Sequence, residues 1–261
     1  MNTLQEIINT SNHTVFFGGA GVSTASNIPD FKGKNGIYNT ENRWGIPPEA
    51  IISHSFFISR PKDFYEYYRE NMLYPDAEPN EVHKALARLE AAGKLKAVLT
   101  QNIDGLHQRA GSKNVFELHG SVHRNYCMRC SKFYGLEKIL TTSAIPMCDC
   151  GGMIKPDVVL YGEGLNSDVW DGAIKELAAA DALIVGGSSL TVMPAAGLVQ
   201  SFRGKNLAII NSQPTPYDSR ATLVMHEDLT KVFQPLTEKR QWKFRKRDNI
   251  LRRRIDATPI G

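Results

Sequence analysis

The chain has 261 residues, 42% hydrophobic and 22% charged, with a formal net charge of +4. No apolar run reaches the roughly 18–20 residues that span a bilayer, and the start "MNTLQEIINTSNHT" lacks the basic opening and apolar stretch of a secretion signal, so a soluble, cytoplasmic protein is expected. Residues 238–261 hold nine Lys/Arg against three Asp/Glu, a formal +6, and residues 1–237 carry −2; nucleic acid is therefore not an expected partner, the tail being expected to be disordered and the one stretch that could hold a polyanion.

The first element is "TVFFGG" (14–19), a short apolar strand ending in glycines. It runs into "FFGGAGVSTASNIPDFKG", where Gly18, Gly19 and Gly21 permit a tight turn and close approach of backbone N–H groups to a phosphate. The dinucleotide pattern is imperfect, because Thr24 stands at the third glycine position and Pro29 follows soon after. That argues against a simple NAD dehydrogenase. Residues 33–79 are aromatic, contain five prolines and read as an insertion. "NEVHKALARLEAAGK" then predicts a helix, with Asn80 as cap, Val82, Leu86 and Leu89 on one face and Gly93 as the stop.

"LKAVLTQN" (95–102) reads as a buried strand, and Gln101, Asn102 and Asp104 cluster where it ends. Spacing alone leaves open whether Asn102 or Asp104 caps a helix or serves a ligand. "FELHGSVHRNYCMRC" follows, with His119, His123, Cys127 and Cys130; Cys148 and Cys150 complete the set. Two close cysteine pairs separated by 17 residues suit one tetrahedral zinc ion. Four sulfurs close the coordination shell, so the zinc is expected to be structural, which frees both histidines from metal binding. "KPDVVLYGE", "DALIVGGSS" and "NLAIINS" supply three more β-rich runs, and "SDVWDGAIKELAAA" a helix. The alternation predicts an α/β fold with a parallel sheet covered on both faces. Ligands in such sheets bind at the carboxyl ends of the strands, which singles out Ser23, Asn102, Asp104, Glu163, Ser188, Ser189 and Asn211.

Taken in order, "GAGVSTASNIPDF", "TQNIDGLH", "ELHG", the two cysteine pairs, "KPDVVLYGE", "GSSLTVMPAA" and "IIN" resemble the bacterial-type sirtuins, the NAD-dependent protein deacylases, over about residues 5–230. The resemblance implies a Rossmann-like body (1–32, 80–121 and 155–237), a helical insert (33–79), a zinc module (122–154) and the tail 238–261. It further implies that Ala20, Gly21, Ser23 and Thr24 contact phosphate and ribose, with Lys32 beside them, and that Phe31 shields the nicotinamide–ribose bond. Gln101 and Asn102 would lie by the ribose, Ile103 and Asp104 in the nicotinamide pocket, and Ser188, Ser189 and Asn211 along the phosphates and adenosine. His119 would be the general base, with Asn102 and Asp104 sharing in the chemistry.

The acyl-lysine substrate would add as an extended strand along Val158, Leu160 and Gly162, Glu163 and Gly164. Tyr65 would line the acyl pocket, with Arg69 turned away from it. His123 has no matching role and reads as a surface or packing histidine. The products would be nicotinamide, O-acyl-ADP-ribose and free lysine, with NAD consumed. Two departures stand out: Lys32 replaces an arginine, losing its fork of donors, and Asn27 stands where glycine is usual. A protein ADP-ribosyltransferase, or an NAD-sensing module without turnover, are the alternatives; a sensing module would be expected to lose His119 or Asn102, and both are present.

Overall fold

The computed structural model describes residues 3–31, 36–37 and 43–237. Lys32 and the basic tail 238–261 lie outside the described residues.

Six parallel strands form the main sheet: β1 (Thr14–Gly18), β2 (Leu95–Thr100), β3 (Val115–Glu117), β7 (Ala182–Gly186), β8 (Asn206–Ile210) and β9 (Leu223–Met225). Their order is β3-β2-β1-β7-β8-β9, all in parallel register. This is the Rossmann-like order with its switch point between β1 and β7, where strand order reverses and a crevice opens at the carboxyl ends. Every residue of β1 and β7 is buried, as expected for strands covered on both faces. One face packs Phe17, Leu99, Val185 and Leu198; the other packs Phe16, Leu86, Val98 and Phe233.

The helix Glu81–Ala91 begins as its sequence predicts. Asn80 Oδ1 accepts from the Val82 N–H at 2.9 Å, and Gly93 beyond its end takes φ +70°. Asn80 also reaches outward: its Nδ2 donates to the Val22 carbonyl at 2.8 Å and to Ser26 Oγ at 2.9 Å. One cap therefore anchors both a core helix and the glycine-rich segment. At Asn27 that segment turns through φ +61°, a left-handed conformation that asparagine tolerates better than most residues.

The smaller sheet is antiparallel, in the order β5-β4-β6, with β4 (Gly120–Cys127), β5 (Phe133–Tyr134) and β6 (Ile154–Val158). It shares one hydrophobic core with the helices Pro48–Ile51, His54–Ser59 and Pro61–Asn71: Phe57, Phe64 and Tyr65 lie with Cys127, Ile139, Cys148 and Ile154. Insert and cysteine module thus pack as one unit, and its β6 leads straight into the crevice.

Candidate active site

A cleft of about 810 Å³ runs from the switch point to the end of β6, within the roughly 300–1,000 Å³ usual for small-molecule sites. Its floor is built from backbone. Gly21 donates its N–H to the Gly187 carbonyl at 2.9 Å. A Cβ on Gly21 would lie 2.7 Å from Gly187 Cα, and Gly187 itself has φ +59°. Only glycine lets these two loops approach so closely. The short helical turn Ala20–Val22 then sets Ala20, Gly21 and Ser23 on the cleft wall, a cradle of the kind that fits a phosphate-bearing ligand such as NAD.

Side chains from three loops converge there. Ser23 Oγ donates to Asp104 Oδ2 at 2.6 Å, and Asn102 Nδ2 donates to Ser23 Oγ at 2.9 Å. The Leu106 N–H donates to Asp104 Oδ1 at 2.9 Å. Asp104 thus holds the first N–H of the helix Leu106–Ala110, whose N-cap is Gly105, and also lines the cleft. Ser188 Oγ donates to Gln101 Oε1 at 2.8 Å, joining the loops after β7 and β2. Asn211, after β8, donates from Nδ2 to the Gln213 carbonyl at 2.7 Å.

His119 sits between β3 and β4. Its Nδ1 lies 2.9 Å from the Gln101 carbonyl oxygen, which can only accept, so Nδ1 carries the hydrogen and Nε2 keeps a lone pair. Burial pushes its pKa below the ordinary histidine value, while the bond to Gln101 works the other way. The ring is thus neutral at pH 7 and able to accept a proton.

The segment after β6 is bracketed from both sides. The Val159 N–H donates to the His119 carbonyl at 3.0 Å, and the Tyr161 N–H to the Ile52 carbonyl at 3.0 Å. Glu163 binds the Leu160 N–H at 2.9 Å, His54 Nδ1 at 2.7 Å and Lys155 Nζ at 3.0 Å. Burial opposes its ionisation, but these three donors hold its carboxyl below the ordinary range.

Of the residues singled out from sequence, the cleft brings together Ala20, Gly21, Ser23, Phe31, Gln101, Asn102, Ile103, Asp104, His119, Val158, Leu160, Gly162, Glu163, Ser188, Ser189 and Asn211. Thr24 and Gly164 do not line it; Thr24 Oγ1 instead donates to the Gly21 carbonyl at 3.1 Å. Tyr65 requires a correction. It is fully buried, outside the cleft, with its hydroxyl donated to the Ile154 carbonyl. Tyr68, one turn on, lines the cleft instead, and its buried hydroxyl has no partner among the described residues. Arg69 reaches the carbonyls of Ser143 and Ala144, both at 3.2 Å, and stays out of the cleft. His123, read from sequence as a surface or packing histidine, is exposed and also lines the cleft, with Nε2 3.0 Å from the Asp104 carbonyl oxygen.

The four cysteines stand apart from this cleft. Their Sγ atoms all lie within 4.8 Å of one another, with close pairs at 3.4 to 3.6 Å. That is too long for a disulfide and close to the roughly 3.8 Å sulfur separation of a zinc tetrahedron with bonds of about 2.3 Å. The Arg129 N–H and the Tyr134 hydroxyl point at Cys127 and Cys148 sulfurs, at 3.4 and 3.0 Å, donors that suit metal-bound thiolates. Cys127, Cys130, Cys148 and Cys150 are positioned to bind one zinc ion.

A Rossmann-like sheet, a four-cysteine module and a histidine–asparagine–aspartate cleft between them define an NAD-using protein of the sirtuin type. The Sir2 family pattern matches residues 19–194, and the chain belongs to the Sir2 family. It is 54% identical over 236 residues to an NAD-dependent protein deacetylase of Clostridium acetobutylicum, covering 90% of this chain and 96% of that protein. It is 55% identical over 234 residues to one from Clostridium perfringens, covering 89% and 96%. Among solved structures, a Sir2–p53 peptide–NAD+ complex superposes with a TM-score of 0.78 at 40% identity, covering 90% of this chain and 97% of that one. Among the described residues, no helix is long and apolar enough to cross a membrane.

Proposed function

We propose that this chain is an NAD-dependent protein lysine deacylase, moving an acyl group from lysine to ADP-ribose with release of nicotinamide. The observation that carries the reading is His119: a half-buried, neutral imidazole whose Nδ1–H is given to Gln101 and whose Nε2 is left as an acceptor in the same cleft as Ser23, Asn102 and Asp104.

When bound, NAD supplies a ribose carbon whose bond to nicotinamide is broken in the reaction, so it is consumed rather than recycled. Asp104, pinned by Ser23 and the Leu106 N–H, holds the carboxamide end. Asn102 lies beside it, where a ribose hydroxyl would sit. His119 Nε2 takes the proton of a ribose hydroxyl, and burial keeps it ready to do so at neutral pH. Phe31, Ile103 and the wall around them limit water at the reacting carbon. Ala20, Gly21, Ser188, Ser189 and Asn211 carry the phosphate and adenosine end. The acyl-lysine peptide lies along Val158, Leu160 and Gly162, which line the cleft at and just beyond the end of β6. The zinc holds the small domain in shape and takes no part in the chemistry. A cytosolic setting, which keeps thiols reduced, suits the four-cysteine site.

The test is mass spectrometry of an acetyl-lysine peptide incubated with the protein, with and without NAD. Deacetylation only with NAD is expected; deacetylation without it, or none in either arm, would refute the reading.

A further inference from the structure

The pairing of β4 with β6 is broken between Ser121 and Asn125. Gly120 and Ser121 pair with Val158 and Asp157, and Asn125 then pairs with Pro156. Residues 122–124 are therefore extra on the β4 side and bulge out of the ladder. Bulges of this kind redirect side chains. This one is held in shape. Arg124 bridges Glu117 at 2.5 Å and Asp157 at 2.7 Å, and Asn125 Nδ2 donates to the Val122 carbonyl at 3.2 Å.

What the bulge turns toward is the loop 101–104. His119 Nδ1 binds the Gln101 carbonyl, the Val122 N–H donates to the Ile103 carbonyl at 3.0 Å, and His123 Nε2 lies 3.0 Å from the Asp104 carbonyl. Three of the four carbonyls of that loop are held by donors from one short stretch. The His123 ring also lies against Gly105, where an added Cβ would come within 2.8 Å of its Cδ2 and where φ is +71°. The carbonyl of Asp104 fixes the backbone from which its carboxylate springs. Without the His123 contact, Asp104 would keep Ser23 and Leu106 but lose the hold that His123 has on its backbone carbonyl.

We propose that His123 is a positioning residue for the nicotinamide end of the site. Its Nε2–H holds the Asp104 carbonyl and so sets the direction of the Asp104 carboxylate. The proposal rests on the reading of Asp104 as the group that holds the carboxamide. It predicts an effect on NAD and nicotinamide that the acyl peptide does not share.

The test uses the full chain with zinc bound and compares the wild type with His123→Ala and His123→Gln. Zinc content and melting temperature confirm that each variant is folded. For His123→Ala the KM for NAD and the inhibition constant of nicotinamide should both rise roughly 3- to 10-fold, the loss of one hydrogen bond. The peptide KM should stay within about twofold. His123→Gln, which can still offer an amide N–H, should recover most of the loss. Imidazole ¹H–¹⁵N spectra of the wild type should show His123 as the Nε2–H tautomer and His119 as the Nδ1–H tautomer. Unchanged nicotinamide inhibition in His123→Ala, equal loss in both variants, an equal shift in peptide KM, or an Nδ1–H tautomer at His123 would each overturn the proposal. A wild type that does not turn over NAD would overturn the functional reading instead.

Discussion

Ser23 and Asp104 lie 81 positions apart in sequence, yet Ser23 Oγ donates to Asp104 Oδ2 at 2.6 Å across the crevice beside the switch point. The same oxygen accepts from Asn102 Nδ2 at 2.9 Å. One hydroxyl thus links the glycine-rich turn after β1 to both polar residues of the loop after β2. Ser23→Ala would leave the Asp104 oxygen and the Asn102 amide without this partner in a half-buried site. A cost of about 1–3 kcal/mol in orientation follows, or roughly 5- to 150-fold in kcat/KM for NAD. Steady-state kinetics check it; a variant within twofold of the wild type would show that the linkage does not order the site.

Removing zinc should unfold the small domain before the Rossmann-like body. Cys127 and Cys148 are buried in the same core as Phe57, Phe64 and Tyr65, so loosening the metal loosens the insert as well. Chelation, or serine at any of the four cysteines, should lower the melting temperature and abolish turnover, and zinc added back to the chelated wild type should restore both. Metal analysis should find one zinc per chain, and fully active protein without zinc would contradict this.

His83 and His107 form a buried pair with ring centroids 4.7 Å apart. His83 Nε2 and both His107 nitrogens have no partner among the described residues. Burial pushes both pKa values well below the ordinary value; for His107 the neighbouring His83 adds to the shift and Asp104 opposes it. The unfolded chain therefore takes up protons below about pH 6.5 that the folded protein refuses. Stability is complete above that pH and falls as pH drops toward the folded-state values, by about 1.4 kcal/mol per unit for each ring. Urea unfolding between pH 7.5 and 4.5 should show this decline, and His107→Leu should flatten it by about one proton. An identical slope in the variant would rule the pair out.

Acyl preference follows from Tyr68. It lines the cleft with Ile52, Met72, Leu136 and Val158, while Arg69 is tied to the carbonyls of Ser143 and Ala144. Of the cations that do line the cleft, Arg109 is held by the Ala77 carbonyl and by Glu78. Among the described residues, no arginine at this apolar end is thus placed to pair with an acidic acyl group. Acetyl and longer neutral acyl groups should be removed well, and succinyl or malonyl groups at least about tenfold less efficiently. One peptide carrying each group in turn decides it, and a preference for succinyl would show that the pocket is not the one assigned.

Much of this was legible in the chain because buried parallel strands read as apolar runs. "TVFFGG", "LKAVLTQN", "DALIVGGSS" and "NLAIINS" all became central strands. β9 escaped notice; it is three residues long, at an edge of the sheet, and partly exposed. The cysteine spacing sufficed for the metal site, because four sulfurs on two short loops have few other uses. Tyr65 misled because residues three apart on a helix lie only about 60° apart around its axis. Sequence could not say which of Tyr65 and Tyr68 faces the core and which the cleft. His123 was read as peripheral because the bulge that turns its ring exists only once β4 has paired with β6.

The central claim is that acyl transfer to ADP-ribose, with His119 as base, is what the cleft does. The direct measurement is the stoichiometry of nicotinamide, deacylated peptide and O-acyl-ADP-ribose in one reaction, for the wild type and for His119→Tyr. Equal amounts of all three are expected from the wild type. From His119→Tyr, with fold and zinc intact, deacylated peptide should fall by about 100-fold or more. Nicotinamide release accompanied by ADP-ribose attached to protein, or His119→Tyr with undiminished deacylation, would contradict the account.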